Sequence, residues 1–129
     1  MSGRGRSPIR EGVNFLVVED EFLVADLIAG TLSRLGVFSI EIAGNLDMAR
    51  SLIDEREFDA AAVDINLRGE IAYGLAEEIQ RRKIPFFFMS GYAIGDSFAK
   101  RFPGIGLLRK PFLLCELEAA VMDILESPR

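Results

Sequence analysis

Residues 59–65 read DAAAVDI, a short apolar run closed by an aspartate and bounded by polar residues on both sides. Continuous rather than alternating hydrophobicity over so few residues marks a strand buried on both faces. Working outward, similar runs stand at 14–18 (NFLVV), 37–43 (VFSIEIA), 85–90 (PFFFMS) and 105–108 (IGLL). The proline of the fourth run sits at its start, where a missing N–H is tolerated. Between the runs lie segments of helical period. Over residues 21–35 the apolar positions are 23, 24, 27, 28, 32 and 35, closed by Gly36 as the residue after the helix. Asn45 stands where it caps a helix that turns Leu46, Ala49, Leu52 and Ile53 inward. Residues 71–82 read as a helix weakened by Gly74, and 93–102 as a poor one containing Gly95. Residues 112–126 read as an amphipathic helix with Leu113, Leu114, Leu117, Ala120, Val121, Ile124 and Leu125 on one side.

Five strands alternating with five helices predict an α/β fold with a central parallel sheet and helices on both faces. The 129 residues suffice for one domain with a real core. Residues 1–12, rich in Gly, Ser and Arg, are expected to form a flexible N-terminal tail, and residues 13–127 the folded domain.

Composition removes whole classes of chemistry. The chain has no histidine and a single cysteine, Cys115. Imidazole bases, histidine metal sites, Cys-rich zinc clusters and internal disulfides are therefore excluded. Cys115 is expected to be helix filler. No apolar run approaches the ~20 residues of a membrane-spanning helix, and no secretory leader is visible, so no membrane association and a cytoplasmic location are expected. The net charge is −5, and because the tail carries Arg4, Arg6 and Arg10, the body is more acidic still. Such a body disfavours nucleic acid as a partner.

The polar residues of interest gather just past the carboxyl ends of the runs: Glu19, Asp20, Asp64, Asn66, Ser90 and Lys110. In open parallel sheets this edge binds ligands. If the first and third strands are neighbours, Glu19, Asp20, Glu21 and Asp64 crowd together and repel. A hard divalent cation such as Mg²⁺ relieves that repulsion through oxygen ligands. A cation, an ammonium and a hydroxyl around one carboxylate suit a phosphoryl group, and a carboxylate can itself accept one. Each residue alone also has a plain reading. Asp20 could cap a helix, Asp64 could be a turn aspartate, Ser90 before Gly91 a turn serine, and Lys110 a solvated lysine. Glu21 reads as a solvent-facing residue of the first helical turn. The set, in order on successive strand ends, carries the inference.

The segments FLVVEDE (15–21), AAVDINL (61–67), FFFMSGY (86–92) and LLRKPF (107–112) resemble the receiver domains of bacterial two-component response regulators, over nearly the whole chain. The resemblance implies a flavodoxin-like sheet with strand order 2-1-3-4-5. It implies that Asp64 is the phosphoacceptor and that Glu19 and Asp20 hold Mg²⁺ together with Asp64 and the backbone carbonyl of Asn66. Lys110, before a cis proline at 111, is implied as the phosphate-binding lysine and Ser90 as the switch hydroxyl. Glu19 stands where aspartate is commoner, and Leu107 where many receivers carry a switch aromatic; Tyr92 is a substitute. The run 88–92, Phe-Met-Ser-Gly-Tyr, is similar to a subgroup reading Phe-Ala-Thr-Gly-x-Tyr.

The expected function is that of a single-domain response regulator, a phosphoacceptor rather than an enzyme. With no histidine in the chain, the donor is expected to be a sensor histidine kinase or a histidine phosphotransfer protein. Little sequence follows residue 126, so output is expected through protein contact at the fourth helix, fifth strand and last helix, as a partner or homodimer surface, or as a phosphate sink. The alternatives are an unphosphorylated pseudo-receiver serving as a constitutive binding module, a receiver belonging to a hybrid histidine kinase, and a metal-dependent phosphatase or nucleotide-binding enzyme. The last lacks support from any Walker or GxGxxG motif.

Overall fold

The computed structural model describes residues 9–91 and 96–126. Its elements run β1 (Asn14–Val18), α1 (Phe22–Arg34), β2 (Ser39–Ala43), α2 (Leu46–Glu55), β3 (Ala60–Asp64), β4 (Asn66–Leu67), β5 (Glu70–Ile71), α3 (Tyr73–Arg81), β6 (Phe86–Ser90), α4 (Asp96–Arg101), β7 (Gly106–Arg109) and α5 (Leu114–Glu126). Five strands pair in parallel in the order β2-β1-β3-β6-β7. The order is thus 2-1-3-6-7 rather than the expected 2-1-3-4-5, because two short strands intervene in the chain. β4 and β5 pair antiparallel in a sheet of their own. Their turn, Arg68 (φ 51°) and Gly69 (φ 86°), has both central residues left-handed, the backbone that joins two strands most tightly.

The sheet is covered on both faces, and alternation along each strand sorts the core. Phe15, Val17, Ala60, Ala62, Phe87 and Met89 pack with α1 and α5 through Ile28, Leu32, Leu117 and Val121. Leu16, Val18, Ala61, Val63, Phe86 and Phe88 pack with α2, α3 and α4 through Ala49, Ile53, Leu75, Ile79 and Phe98. The central strand is the thinnest part of the sheet. Ala60, Ala61 and Ala62 sit in register between Phe15, Leu16 and Val17 of β1, and Ala61 and Ala62 also pair with Phe86 and Phe87 of β6. Large side chains on the flanking strands fill the volume that the alanines leave.

Helix ends follow their sequence cues. Asn45 Oδ1 accepts the Met48 N–H at 2.8 Å. Gly36 (φ 97°) closes α1: its N–H reaches Ser33 O, and the Val37 N–H reaches Leu32 O, the pair of bonds that satisfies the last carbonyls. α5 begins at Leu114, later than expected, because the Glu116 carboxylate reaches back to the Leu113 N–H (2.8 Å) and fixes that residue as the cap. Leu113 and Leu114 are consequently exposed and do not join the inward face. α1 is also rotated from expectation. Leu23 is 79% exposed and Leu27 42%, while Ala25 and Thr31 are buried. Burial of Thr31 is tolerated because its hydroxyl donates to the Leu27 carbonyl at 3.0 Å. Cys115 is exposed. Near the N-terminus, Ile9 packs partly against the core and Arg10 pairs with Asp59 at 2.9 Å. None of the described helices is long and apolar enough to cross a membrane.

Candidate functional site

The carboxyl ends of β1, β3, β6 and β7 converge on one side of the sheet. Glu19 follows β1, and its N–H donates to Ala43 O of β2 at 3.0 Å, which extends the pairing and holds the residue in. Glu19, Asp64 and Lys110 are in phase with Val17, Ala62 and Leu108, so strand alternation turns all three toward the α1/α5 side. Asp64 is 4% exposed and Glu19 2%. Burial of two carboxylates this close demands a counter-charge. Lys110 provides it: Nζ lies 3.0 Å from Asp64 Oδ2 and 2.7 Å from Glu19 Oε1. The contact with Glu19 is close but not aligned for a hydrogen bond, so Glu19 Oε1 is buried without a hydrogen-bond partner. Glu19 Oε2 accepts the Glu21 N–H at 3.1 Å.

Electrostatics follow from these contacts. Burial pushes the Glu19 carboxyl up to about 7, against the lowering effects of Lys110 and the Glu21 N–H and with a further push from the Asp64 charge. Burial also disfavours the Lys110 ammonium, but its close pairing with the Glu19 and Asp64 carboxylates outweighs that and holds its pKa above the ordinary lysine value.

Ligand atoms of Glu19, Asp20 and Asp64 all lie within 4.8 Å of one another. These are hard oxygen donors, one of them an unsatisfied buried atom, and such a set fits Mg²⁺. Asn66 is placed beside them, its N–H donating to Asp64 Oδ1 at 3.2 Å. Its side chain is engaged elsewhere, accepting the Gly69 N–H at 2.9 Å, which leaves a metal role to its backbone carbonyl. Ser90 is buried at the end of β6, one residue beyond Met89, the register partner of Asp64. The Lys110 N–H donates to its carbonyl at 2.8 Å. Lys110 precedes Pro111 through a cis peptide, as the resemblance implied. Tyr92 lies outside the described residues. Leu107 is partly buried against the α2–α4 side of the core.

A cavity of about 410 Å³ opens over Asp64, lined also by Asp20, Glu21, Asn66, Arg68 and Lys110. One of these residues, Arg68, went unassigned by sequence reasoning. Glu21 is exposed, as expected, and its Oε1 also lies 3.3 Å from Lys110 Nζ. Arg68 donates its backbone N–H to Asp20 Oδ2 at 3.1 Å from the tip of the β4–β5 turn. The Arg-Gly pair in the sequence was the available cue to that turn.

No protein-family model matches the sequence, and no curated protein matches it. Solved structures do. The receiver domain of NtrX from Brucella abortus is 30% identical, the alignment covering 88% of this chain and 99% of that one, with a TM-score of 0.77. The chain belongs to the receiver-domain family. The non-phosphorylated HemR receiver domain from Leptospira biflexa shares the fold at a TM-score of 0.80 and 24% identity, over 91% of this receiver and 97% of its own length. The response regulator PhyR from Brucella abortus aligns at 23% identity and a TM-score of 0.77, over 92% of this receiver but 49% of that chain. The receiver therefore corresponds to about half of PhyR.

Proposed function

We propose that this receiver is a phosphoacceptor of a two-component pathway, with Asp64 as the accepting residue. The observation that carries the reading is the buried Asp64 with Lys110 Nζ at 3.0 Å and the Glu19 and Asp20 carboxylates within metal-sharing distance. An Asp64 oxygen attacks the phosphorus of a partner's phosphohistidine. The N–P bond breaks and its electron pair leaves with the imidazole. Lys110 exchanges part of its carboxylate pairing for a phosphoryl oxygen, and Ser90 donates its hydroxyl to another. Glu19, Asp20, Asp64 and the Asn66 carbonyl would hold Mg²⁺, which when bound supplies charge neutralisation on the phosphoryl oxygens.

The donor is a sensor histidine kinase or a phosphotransfer protein, and the phosphorylated form signals by protein contact. Residues 88–92 and the absence of an aromatic at Leu107 support kinship with the Phe-Ala-Thr-Gly-x-Tyr subgroup. Leu107 also favours a second reading, an unphosphorylated binding module. Acetyl phosphate with Mg²⁺ separates the two by intact mass. An adduct that requires Mg²⁺ and disappears in Asp64→Asn establishes the phosphoacceptor. Full adduct formation in Asp64→Asn would overturn the assignment of Asp64.

A further inference from the structure

We infer that Arg68 is a second cationic contact for the phosphoryl group on Asp64, an inference that rests on the phosphoacceptor reading. Arg68 lines the same cavity as Asp64 and Lys110. Its backbone N–H is bonded to Asp20 at 3.1 Å, and the Asp20 and Asp64 ligand atoms lie within 4.8 Å of each other. An extended arginine spans that interval. Among the described residues its guanidinium forms no ion pair, although carboxylates of Asp20, Glu21 and Asp64 line the same cavity.

The placement is fixed by the backbone, not by a flexible loop. The β4–β5 pairing, the left-handed φ of Arg68 and Gly69, and the Gly69 N–H bond to Asn66 Oδ1 hold the turn over the carboxylates. Lys110 reaches Asp64 from the β7 side of the cavity and Arg68 stands on the β4–β5 side. Lys110 is already shared among Glu19, Glu21 and Asp64. A phosphoryl group adds negative charge to a site whose one buried ammonium is committed. A guanidinium offers two parallel N–H donors that match two phosphoryl oxygens. In transfer from acetyl phosphate, an Asp64 oxygen bonds to phosphorus, the bridging P–O bond breaks, and acetate leaves with the electron pair. Arg68 neutralises the oxygens that stay on phosphorus throughout.

The test compares wild type, Arg68→Gln and Arg68→Lys in three measurements: the rate of Asp64 phosphorylation by acetyl phosphate, affinity for beryllofluoride with Mg²⁺, and affinity for Mg²⁺ alone. Glutamine carries the same backbone cost at the left-handed position. The expected result for Arg68→Gln is about a tenfold loss in the first two, unchanged or tighter Mg²⁺ binding, and partial recovery in Arg68→Lys. Equal phosphorylation and beryllofluoride binding in wild type and Arg68→Gln would overturn the inference alone. So would a parallel loss of Mg²⁺ affinity, because Arg68 would then act only by holding the turn and Asp20. A wild type that takes neither phosphoryl nor beryllofluoride would overturn the phosphoacceptor reading, and this inference with it.

Discussion

Lys110 Nζ lies 3.0 Å from Asp64 Oδ2, although 46 residues separate them in the chain. The ammonium is the counter-charge that makes a buried carboxylate at the end of β3 tolerable. Lys110→Met removes it and leaves Glu19 and Asp64 facing each other with side chains almost wholly buried. In metal-free buffer at pH 8 the expected loss of stability is about 3 kcal/mol. At pH 6 the loss is smaller, because Glu19 takes up a proton. Urea denaturation at the two pH values checks both statements.

Glu19 predicts a pH dependence of its own. Its folded pKa, about 7, lies above the ordinary 4.5 of the unfolded chain. The native state therefore holds the proton more tightly. The contribution of Glu19 to stability is fully present below pH 4.5, declines between pH 4.5 and 7, and is lost above. In EDTA, the stability profile of Glu19→Gln should be flatter than wild type across that window. Mg²⁺ must displace the same proton, so its affinity should rise by roughly tenfold per pH unit up to about pH 7 and then level off. Calorimetric Mg²⁺ titrations with a pH-independent Kd below 7 would sink this account.

The turn over the site is sensitive to backbone strain alone. A Cβ at Gly69 meets nothing within 4 Å, but φ is +86°. Gly69→Ala should cost about 1 kcal/mol. It should also weaken Mg²⁺ binding, since the Arg68 N–H orients Asp20 from the neighbouring position. Gly91→Ala, with open space and no left-handed φ, is the control expected to fold with nearly wild-type stability. Thermal melts with and without Mg²⁺ distinguish the two.

Phe88 anchors the face opposite the site's buried charges. It is fully buried, and its ring packs against Phe86, Phe98, Phe102 and Tyr73 at centroid distances of 5.3, 5.2, 5.1 and 6.1 Å. Arg101 stacks on Tyr73 and pairs with Glu77, tying α4 to α3. Phe88→Ala should cost about 4 kcal/mol, while Phe88→Leu should recover most of it. Hydrogen exchange on Phe88→Ala should show α4 opening before the rest of the sheet. Uniform loss of protection would contradict this.

How much of this was legible in the sequence depends on the range of the interaction. DAAAVDI, Gly36 and Asn45 declare a buried strand, a helix end and a cap through local preferences, and each is found there. The β4–β5 strands were missed because two-residue strands have no periodicity. Only the Arg68-Gly69 turn betrays them, and they shift the sheet numbering to 2-1-3-6-7. The inward face of α1 was misjudged because Leu23 and Leu27 outrank Ala25 and Thr31 in hydrophobicity. Asp64, Asp20, Glu19 and Lys110 were legible as a set on strand ends. The approach of Arg68 to Asp20 was not, because two-residue strands that leave no periodic signal carry it there.

The three alanines of β3 make the reactive strand a tolerance problem. Ala62 stands two residues before Asp64, level with Val17 on one side and Phe87 on the other. Ala62 is fully buried in the core, so a bulkier side chain there must displace its neighbours or the strand itself. Such a shift moves the carboxylate oxygen relative to Lys110, which is anchored to a different strand. The receiver thus carries a mechanical constraint disguised as a packing preference: side-chain volume at the middle of the sheet sets the alignment of an oxygen at its rim.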